Sequence, residues 1–165
     1  MNFFVRALTK FDHILARGEA WALITLVAVM TGVVFLQVIY RYFLAQPLHW
    51  SEEMARYLFV WISLLGAALS VQRRGHFGMD FFSRMLSPKG RRFLSFLVYL
   101  LIGIVTLVLL VYGIVLVQKT VAQQSPAMEI SMGWAYACLP VGAALMSIHL
   151  LAILLREAGR EKEIP

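Results

Sequence analysis

Cysteine is almost absent from this chain, because Cys138 is the only one among 165 residues. A single thiol cannot form a disulfide within the chain, which excludes a self-contained dithiol oxidoreductase and any cysteine-rich metal site. We therefore expect Cys138 to be a small packing residue in an apolar helix. The histidines are scattered, and no two have the spacing of a ligand pair, so the sequence predicts no metal site and no other cofactor in this chain.

Charge is missing from four long stretches, which cover residues 20–40, 57–72, 93–118 and 130–155. Their lengths are 21, 16, 26 and 26 residues. Three can cross a hydrocarbon core of about 30 Å as helices, and the short one gains length from its amphipathic flanks. Because lipid offers the backbone no hydrogen-bond partners, each stretch must form its own bonds as a helix. The sequence thus predicts an all-α integral membrane protein with four transmembrane helices in a single membrane domain.

The predicted transmembrane helices cover residues 20–42, 51–72, 88–119 and 130–156. Ser87 and Pro88 provide an N-cap and a first-turn proline, which places the start of the third helix. Apolar residues at helical spacing predict amphipathic helices lying in the membrane interface over 1–19 and 76–87. A disordered basic leader is the alternative for 1–19. Residues 157–165 form a short tail.

Basic residues are distributed unevenly between the two sides of the membrane. Lys and Arg outside the charge-free stretches number twelve on the side of both termini and the middle loop, and three on the other side. The positive-inside rule therefore predicts that both termini lie in the cytoplasm. The formal net charge of +6 then reflects contacts with membrane lipids at the helix ends, and no nucleic-acid partner is expected.

No Asp, Glu, Lys or Arg lies deep in any predicted span. A proton or ion pathway usually needs such a group, so this chain alone is not expected to be a pump or a secondary transporter. His149 lies near the cytoplasmic end of the fourth span, where we expect a polar contact at the interface rather than a proton relay.

Charged residues concentrate at the predicted outer ends of the first two helices. Arg41 ends the first helix, Ser51 can cap the second, and Glu52 and Glu53 then occupy its first turn. Glu52 and Arg56 have the favourable i, i+4 order for an ion pair. Two interpretations stay open. The residues either anchor and cap two separate helices, or they form a charge network that pins the helices together and could dock a partner subunit.

Aromatic side chains with polar edges lie near the ends of the predicted helices. Such residues anchor helices at the level of the lipid headgroups. The predicted anchors are Trp21, Tyr40, Tyr42, Trp61, Trp134 and Tyr136, and Trp50 and Tyr57 lie in the same outer belt.

The chain resembles the small membrane subunits of tripartite ATP-independent periplasmic (TRAP) transporters. The resemblance rests on Arg41-Tyr42, on Trp50-Ser51-Glu52-Glu53 running into Arg56-Tyr57, on Gly66, and on Gly75-His76 opening the basic loop. A second patch ends in Leu139-Pro140. Residues carried over as candidates for structure or subunit contact are Arg41, Trp50, Ser51, Glu52, Glu53, Arg56, Tyr57, Gly66, Arg73, Arg74, His76 and Pro140.

This resemblance implies a division of labour among three proteins in a bacterial inner membrane system. A large membrane subunit would carry the substrate and sodium sites and move as an elevator. A periplasmic binding protein would deliver an organic acid such as a dicarboxylate, sialic acid or another sugar acid. The small subunit would enlarge the static scaffold, with no catalytic, substrate or metal site of its own.

Other classes of function need features that this sequence supplies poorly. A small four-helix membrane enzyme would need a convergent catalytic set, and only the outer Arg41/Glu52/Glu53/Arg56 group or the inner Arg73/Arg74/His76 group could provide one. An autonomous exporter would need a buried carboxylate. An accessory subunit of a different membrane complex is a further alternative.

Overall fold

The computed structural model describes residues 3–73 and 87–161, and the regular secondary structure in these ranges is helical apart from one isolated β-bridge. Its helices are α1 (Phe3–Tyr42), α2 (His49–Gln72), α3 (Pro88–Thr120), α4 (Met132–Tyr136) and α5 (Cys138–Glu161). Four segments are long and apolar enough to cross a membrane: Leu8–Tyr42, His49–Gln72, Lys89–Thr120 and Met132–Ala158. The prediction of an all-α, multi-pass membrane protein is confirmed.

The helices form a bundle in which α5 contacts α1, α2 and α3, while α1 packs on α2. Side-chain contacts show which helix ends lie together. His13 of α1 lies 3.4 Å from Gln72 at the end of α2, and Tyr99 of α3 donates to Glu157 of α5 at 3.1 Å. We refer to this end as the terminal end of the bundle. The opposite end carries residues 43–48 and 121–131 and is the loop end.

Helix α1 is one continuous helix of 40 residues, about 60 Å long at 1.5 Å per residue. The sequence predicts a boundary near residue 19 between an interfacial helix and the first span, and the structure has none there. The helix continues because no proline interrupts residues 3–42, and because Asp12 and Glu19 are buried in contacts with α5. The segment predicted as a separate helix is the first half of α1.

The other helix bounds differ from the predicted ones by a few residues. Helix α2 begins two residues earlier, and the predicted fourth span is divided at Ala137 into α4 and α5. Helix α5 continues to Glu161, so the first part of the predicted tail is helical. The interfacial helix predicted for 76–87 lies outside the described residues except for Ser87. The predicted cap there is confirmed, because Ser87 accepts from the Gly90 N–H at 3.3 Å.

Close packing between the helices depends on apolar and small residues. The buried cluster of α2 and α5 consists of Ala68, Val71, Met146, Leu150 and Ile153. A Cβ atom at Gly142 would lie 3.0 Å from the Leu64 Cβ. A Cβ at Gly113 would lie 3.0 Å from Pro140 and Leu139. Pro140 fits within the first turn of α5, where helical N–H groups have no intrahelical acceptor. Glycine thus permits α3 and α5 to approach.

Candidate functional site

Of the two interpretations left open for Arg41, Glu52, Glu53 and Arg56, the described residues do not show a charge network among the four. The Glu52 carboxylate accepts from the Gln37 amide of α1 at 3.3 Å, which connects α1 and α2. Within residues 3–73 and 87–161, no ion pair joins Glu52 or Glu53 to Arg41 or Arg56. Both arginines are exposed, and the Arg41 guanidinium lies 5.9 Å from the ring centre of its neighbour Tyr42.

Ser51 has a different role from the predicted helix cap. The N-cap of α2 is Leu48, which has an extended backbone and makes no side-chain cap. The Ser51 hydroxyl, fully buried, donates back to the Leu48 carbonyl at 2.7 Å. The observed cap therefore lies three residues before the predicted one, because residues 49 and 50 already adopt helical geometry. Glu52 still lies in the first turn, where a negative charge complements the helix dipole.

Glu53 forms the most extensively bonded polar site at the loop end. Its side chain is buried, and one carboxylate oxygen accepts from the Ala127 N–H at 2.9 Å and the Met128 N–H at 3.1 Å. The other oxygen accepts from the Tyr57 hydroxyl. An ionised carboxylate with several N–H and O–H donors is a strong acceptor. Glu53 therefore fastens the α3–α4 loop to α2.

The α3–α4 loop has a compact fold of its own. Gln124 and Ser131 form an isolated antiparallel bridge, and the Ser125 N–H donates to Ile130 at 2.8 Å. The Ser131 hydroxyl donates to the Val121 carbonyl at 2.6 Å and accepts from the Gly133 N–H at 3.2 Å, so it also caps α4. The loop end is thus an ordered surface, held in place by Glu53.

Two of the predicted aromatic anchors contact each other across helices. The Trp61 indole N–H donates to the Trp134 carbonyl at 3.3 Å. Trp21, Tyr42 and Trp134 are 70 to 73% exposed. Trp50, Tyr57, Trp61, Tyr40 and Tyr136 are half-buried. Anchoring of these side chains at the headgroup level remains a prediction.

The remaining residues carried over from the resemblance lie apart from this site. Gly66 lies in the middle of α2, and a Cβ atom at this position would have no neighbouring atom within 4 Å. Arg73 is exposed at the end of α2. Arg74 and His76 lie outside the described residues. The structure therefore brings together Ser51, Glu52, Glu53 and Tyr57 on the half of α2 at the loop end, with Arg41 and Arg56 exposed beside them.

A second polar site, which the sequence did not predict, lies at the terminal end between α1 and α5. His149 is fully buried, with its Nδ1 2.6 Å from an Asp12 oxygen and its Nε2 2.9 Å from a Glu19 oxygen. Arg156 donates to the second Asp12 oxygen at 2.6 Å and to the Thr9 hydroxyl at 3.2 Å. The sequence predicts only a polar contact at the interface for His149, whereas the structure pairs both of its ring nitrogens with carboxylates.

The geometry of this cluster fits a doubly protonated His149. A neutral imidazole carries one N–H, so only the imidazolium form can donate to two ionised carboxylates at once. With His149 and Arg156 positive and Asp12 and Glu19 negative, the four groups have no net charge. The second oxygen of Glu19 is buried and has no hydrogen-bond partner within the described ranges. A neutral, largely bonded cluster is the form in which charges are tolerated away from water.

The sequence contained part of the signal for this cluster. Asp12 and Glu19 are seven residues apart, which places them on one face of a helix. Ala16, between them, is also buried. Their partners come from α5, at separations of 137 and 130 residues, and no local pattern specifies that pairing. The sequence pattern that indicated a buried polar contact was the presence of two acids on one face of an otherwise apolar helix.

Four hydroxyl groups inside the spans are bonded within their own helices. Thr25, Thr31, Ser63 and Ser147 each donate to the carbonyl four residues earlier, at 2.8 to 3.0 Å. Thr106 is buried, and its hydroxyl lies 3.9 Å from the Met146 sulfur. These groups therefore offer no chain of polar contacts along the bundle, and catalytic or ion-conducting chemistry finds no support among them.

Comparison with known families decides the class of this protein. Residues 30–160 match the family model of the DctQ component of tripartite ATP-independent periplasmic transporters. The chain belongs to the DctQ family. The match includes the Glu53 site and His149, whereas Asp12 and Glu19 precede it. Members of this family are components of transporters and not enzymes.

Individual relatives agree with this assignment. The sialic acid TRAP transporter small permease protein SiaQ of Vibrio cholerae is 33% identical over 130 residues, which are 78% of this chain and 74% of SiaQ. The C4-dicarboxylate TRAP transporter small permease protein DctQ of Rhodobacter capsulatus is 30% identical over 118 residues, which are 70% of this chain and 52% of that protein. Both names describe small permease proteins, in agreement with the resemblance carried by Trp50 to Tyr57.

A third relative is much longer than this chain. The sialic acid TRAP transporter permease protein SiaT of Haemophilus influenzae is 31% identical over 133 residues. These residues are 81% of this chain but only 22% of SiaT. The unit described here therefore also occurs as one part of a longer TRAP permease protein.

Proposed function

We propose that this chain is the small scaffold subunit of a sodium-coupled TRAP transporter that imports an organic acid across a bacterial inner membrane. It pairs with a large multi-span membrane subunit, which carries the substrate and sodium sites, and a periplasmic binding protein delivers the substrate. The observation that carries the proposal is the bonding of Thr25, Thr31, Ser63 and Ser147 within their own helices. In the described spans these hydroxyl groups form no polar pathway. The buried charges of Asp12, Glu19 and His149 are confined to one paired cluster at the terminal end, which suits a supporting role.

The proposed substrate class is supported by the names of the relatives and not by any residue of this chain. Their names give sialic acid and C4-dicarboxylates, which are both organic acids. In the proposed arrangement, selection between them belongs to the large subunit and the binding protein. This chain instead keeps the large subunit at a fixed depth while its transport domain moves. The excess of Lys and Arg on the side of both termini supports an orientation in which both termini lie in the cytoplasm.

The exposed face of α2 is our candidate surface for the large subunit. It carries Phe59, which is 60% exposed, and the exposed small residues Ser63, Ala67 and Ser70. Gly66 lies on the same side with open space above it. Small residues let a neighbouring transmembrane helix approach closely. Because these side chains are exposed in the part of the chain that the structure describes, this face is available to a partner.

Co-purification of the large subunit with tagged variants of this chain tests the surface. We expect Gly66→Leu and Ala67→Leu to reduce the recovered large subunit severalfold, because both side chains would obstruct a close helix. Gly32→Leu is the matched control, since Gly32 also has open space in a membrane-spanning helix, on α1. Loss of the large subunit with Gly32→Leu alone would move the contact surface to α1.

Reconstitution tests the scaffold role itself. The purified chain in liposomes with an inward sodium gradient should take up no labelled sialic acid or C4-dicarboxylate. The same liposomes with the large subunit and the binding protein added should take up the cognate acid. Sodium-driven uptake by this chain alone would contradict the proposal, and co-purification with no large membrane protein would favour an accessory role in another complex.

A further inference from the structure

We propose that the exposed side of α1 at the terminal end binds the phosphate headgroup of an anionic phospholipid through Lys10, His13 and Arg17. The three side chains are exposed and follow one another at spacings of three and four residues, which aligns them on one helix face. Together with Ile14 they line a shallow pocket. We refer to these three residues as the α1 basic face. Lipid binding there is a property of this chain alone and does not depend on the proposed transport role.

Among residues 3–73 and 87–161, no acidic side chain compensates the charge of the α1 basic face. The two acids of the same helical segment, Asp12 and Glu19, are buried on the opposite side and paired with His149 and Arg156. Within the described ranges, no carboxylate lies within 4.0 Å of Lys10 or Arg17. The buried cluster therefore removes the negative charges of this segment from the surface and leaves its positive charges exposed. Such a face attracts an anionic phosphate.

Apolar surface continues from the α1 basic face toward the middle of the helix. Ile14 is 68% exposed, Trp21 is 70% exposed and Ile24 is 58% exposed. Gly18 lies between Ile14 and Trp21, and a Cβ atom at Gly18 would have no neighbouring atom within 4 Å. A phosphate contact followed by an open apolar strip suits a headgroup with its acyl chain. This continuity favours a phospholipid over a soluble anion.

A second helix contributes to the same surface. The Gln72 amide at the end of α2 lies 3.4 Å from His13 Nδ1, and the exposed Arg73 follows it. An imidazole can donate a hydrogen bond to phosphate from the ring nitrogen that Gln72 leaves free. The headgroup is thus expected at the α1–α2 boundary, where two helices supply donors.

Trp21 provides a direct reporter for this binding. It lies one helical turn beyond Arg17, while Trp50, Trp61 and Trp134 belong to the opposite half of the bundle, where Trp61 contacts Trp134. The experiment measures quenching of the purified full chain in detergent by brominated phosphatidylglycerol and by brominated phosphatidylcholine. Subtracting the signal of Trp21→Phe isolates Trp21. We expect the anionic lipid to quench at lower concentration than the zwitterionic one.

Variants of the α1 basic face decide whether these residues bind the headgroup. Each of Lys10→Gln and Arg17→Gln should weaken the preference for the anionic lipid about fivefold. Lys119→Gln, an exposed cation at the loop end of α3, should leave it unchanged. Equal quenching by both lipids in the wild-type chain would overturn the proposal. An unchanged lipid preference in the variant that combines Lys10→Gln and Arg17→Gln would also overturn it.

Two further outcomes would assign the face to another ligand. Relief of the quenching by inorganic phosphate at the lipid's concentration would overturn the lipid assignment, because free phosphate has no acyl chain to bind the apolar strip. If the variants keep the lipid preference but lose the large subunit, the face is a protein contact and the proposal is overturned. A size-exclusion profile equal to that of the wild type shows that each variant is folded.

Discussion

His149 and Asp12 are joined at 2.6 Å although 137 residues separate them in the sequence. This contact, together with the bond from His149 to Glu19, fastens the first half of α1 onto α5. The segment would otherwise be free to lie apart from the bundle, as the amphipathic pattern of residues 1–19 suggests. A buried pairing of charges therefore determines the path of the chain before the first charge-free stretch.

Loss of the imidazolium should destabilise the protein strongly. In His149→Gln the cluster acquires a net negative charge, and at least one buried carboxylate loses its charged partner. We expect the free energy of unfolding to fall by about 3 to 5 kcal/mol. Thermal unfolding of the purified chain in detergent micelles measures the change. Ser147→Ala, which removes a hydroxyl bonded within its own helix, is the control.

A second variant separates charge imbalance from the loss of packing at His149. Adding Glu19→Gln to His149→Gln returns the formal charge of the cluster to zero, because Asp12 and Arg156 remain paired. The double variant should therefore be more stable than His149→Gln alone. A double variant that is as unstable as the sum of the two single variants would contradict the role of net neutrality.

Glu53 and Glu52 are adjacent but should respond differently to neutralisation. Glu53→Gln places an amide NH₂ or a single oxygen opposite two backbone N–H donors, those of Ala127 and Met128. We expect the amides of residues 125–131 to exchange hydrogen faster in Glu53→Gln, with little change in Glu52→Gln, which loses a 3.3 Å bond to Gln37. Hydrogen-exchange mass spectrometry measures this. Equal effects of the two substitutions would refute the special role of Glu53.

Gly113 should be intolerant of even one added carbon. A Cβ there would lie 3.0 Å from the Pro140 backbone nitrogen and from the Leu139 Cβ, so α3 and α5 would have to separate. We expect Gly113→Ala to lower the free energy of unfolding by about 1 to 3 kcal/mol. Gly66→Ala has open space and should be neutral or stabilising by up to about 1 kcal/mol. Thermal unfolding of both variants in the same detergent provides the comparison.

Fusions at each terminus test the orientation of the bundle. The excess of basic residues at the terminal end predicts that a phosphatase reporter, which is active in the periplasm, is inactive at either end of the chain. A fluorescent protein that matures in the cytoplasm should be bright in both fusions. An active phosphatase at one terminus would require an odd number of crossings and would contradict the four-span topology.

The architecture of this protein could be predicted from the sequence because its strongest signals are local. Four charge-free stretches specify four spans, since each must satisfy its backbone within a helix. Ser87 and Pro88 specify the start of α3 through contacts within one turn. The Trp50 to Tyr57 block and Gly66 carried the resemblance, which the family match confirms.

The contacts between distant residues could not be predicted in the same way. The Glu52–Arg56 pair was expected from spacing alone, but exposed pairs of this kind contribute little, and Glu52 instead contacts Gln37 on another helix. Glu53 binds backbone groups 74 and 75 residues away. Such partners are determined by how the helices pack against each other, and the periodicity within one helix does not specify that packing.

The long separation within the buried cluster has a consequence for biogenesis. Asp12 and Glu19 leave the ribosome 137 and 130 residues ahead of His149. During that interval both acids have no α5 to pair with, and water or lipid headgroups must solvate them while α1, α2 and α3 insert. Closure of the cluster is therefore a late event in synthesis. A chain that ends before α5 therefore lacks the charged partners of both acids.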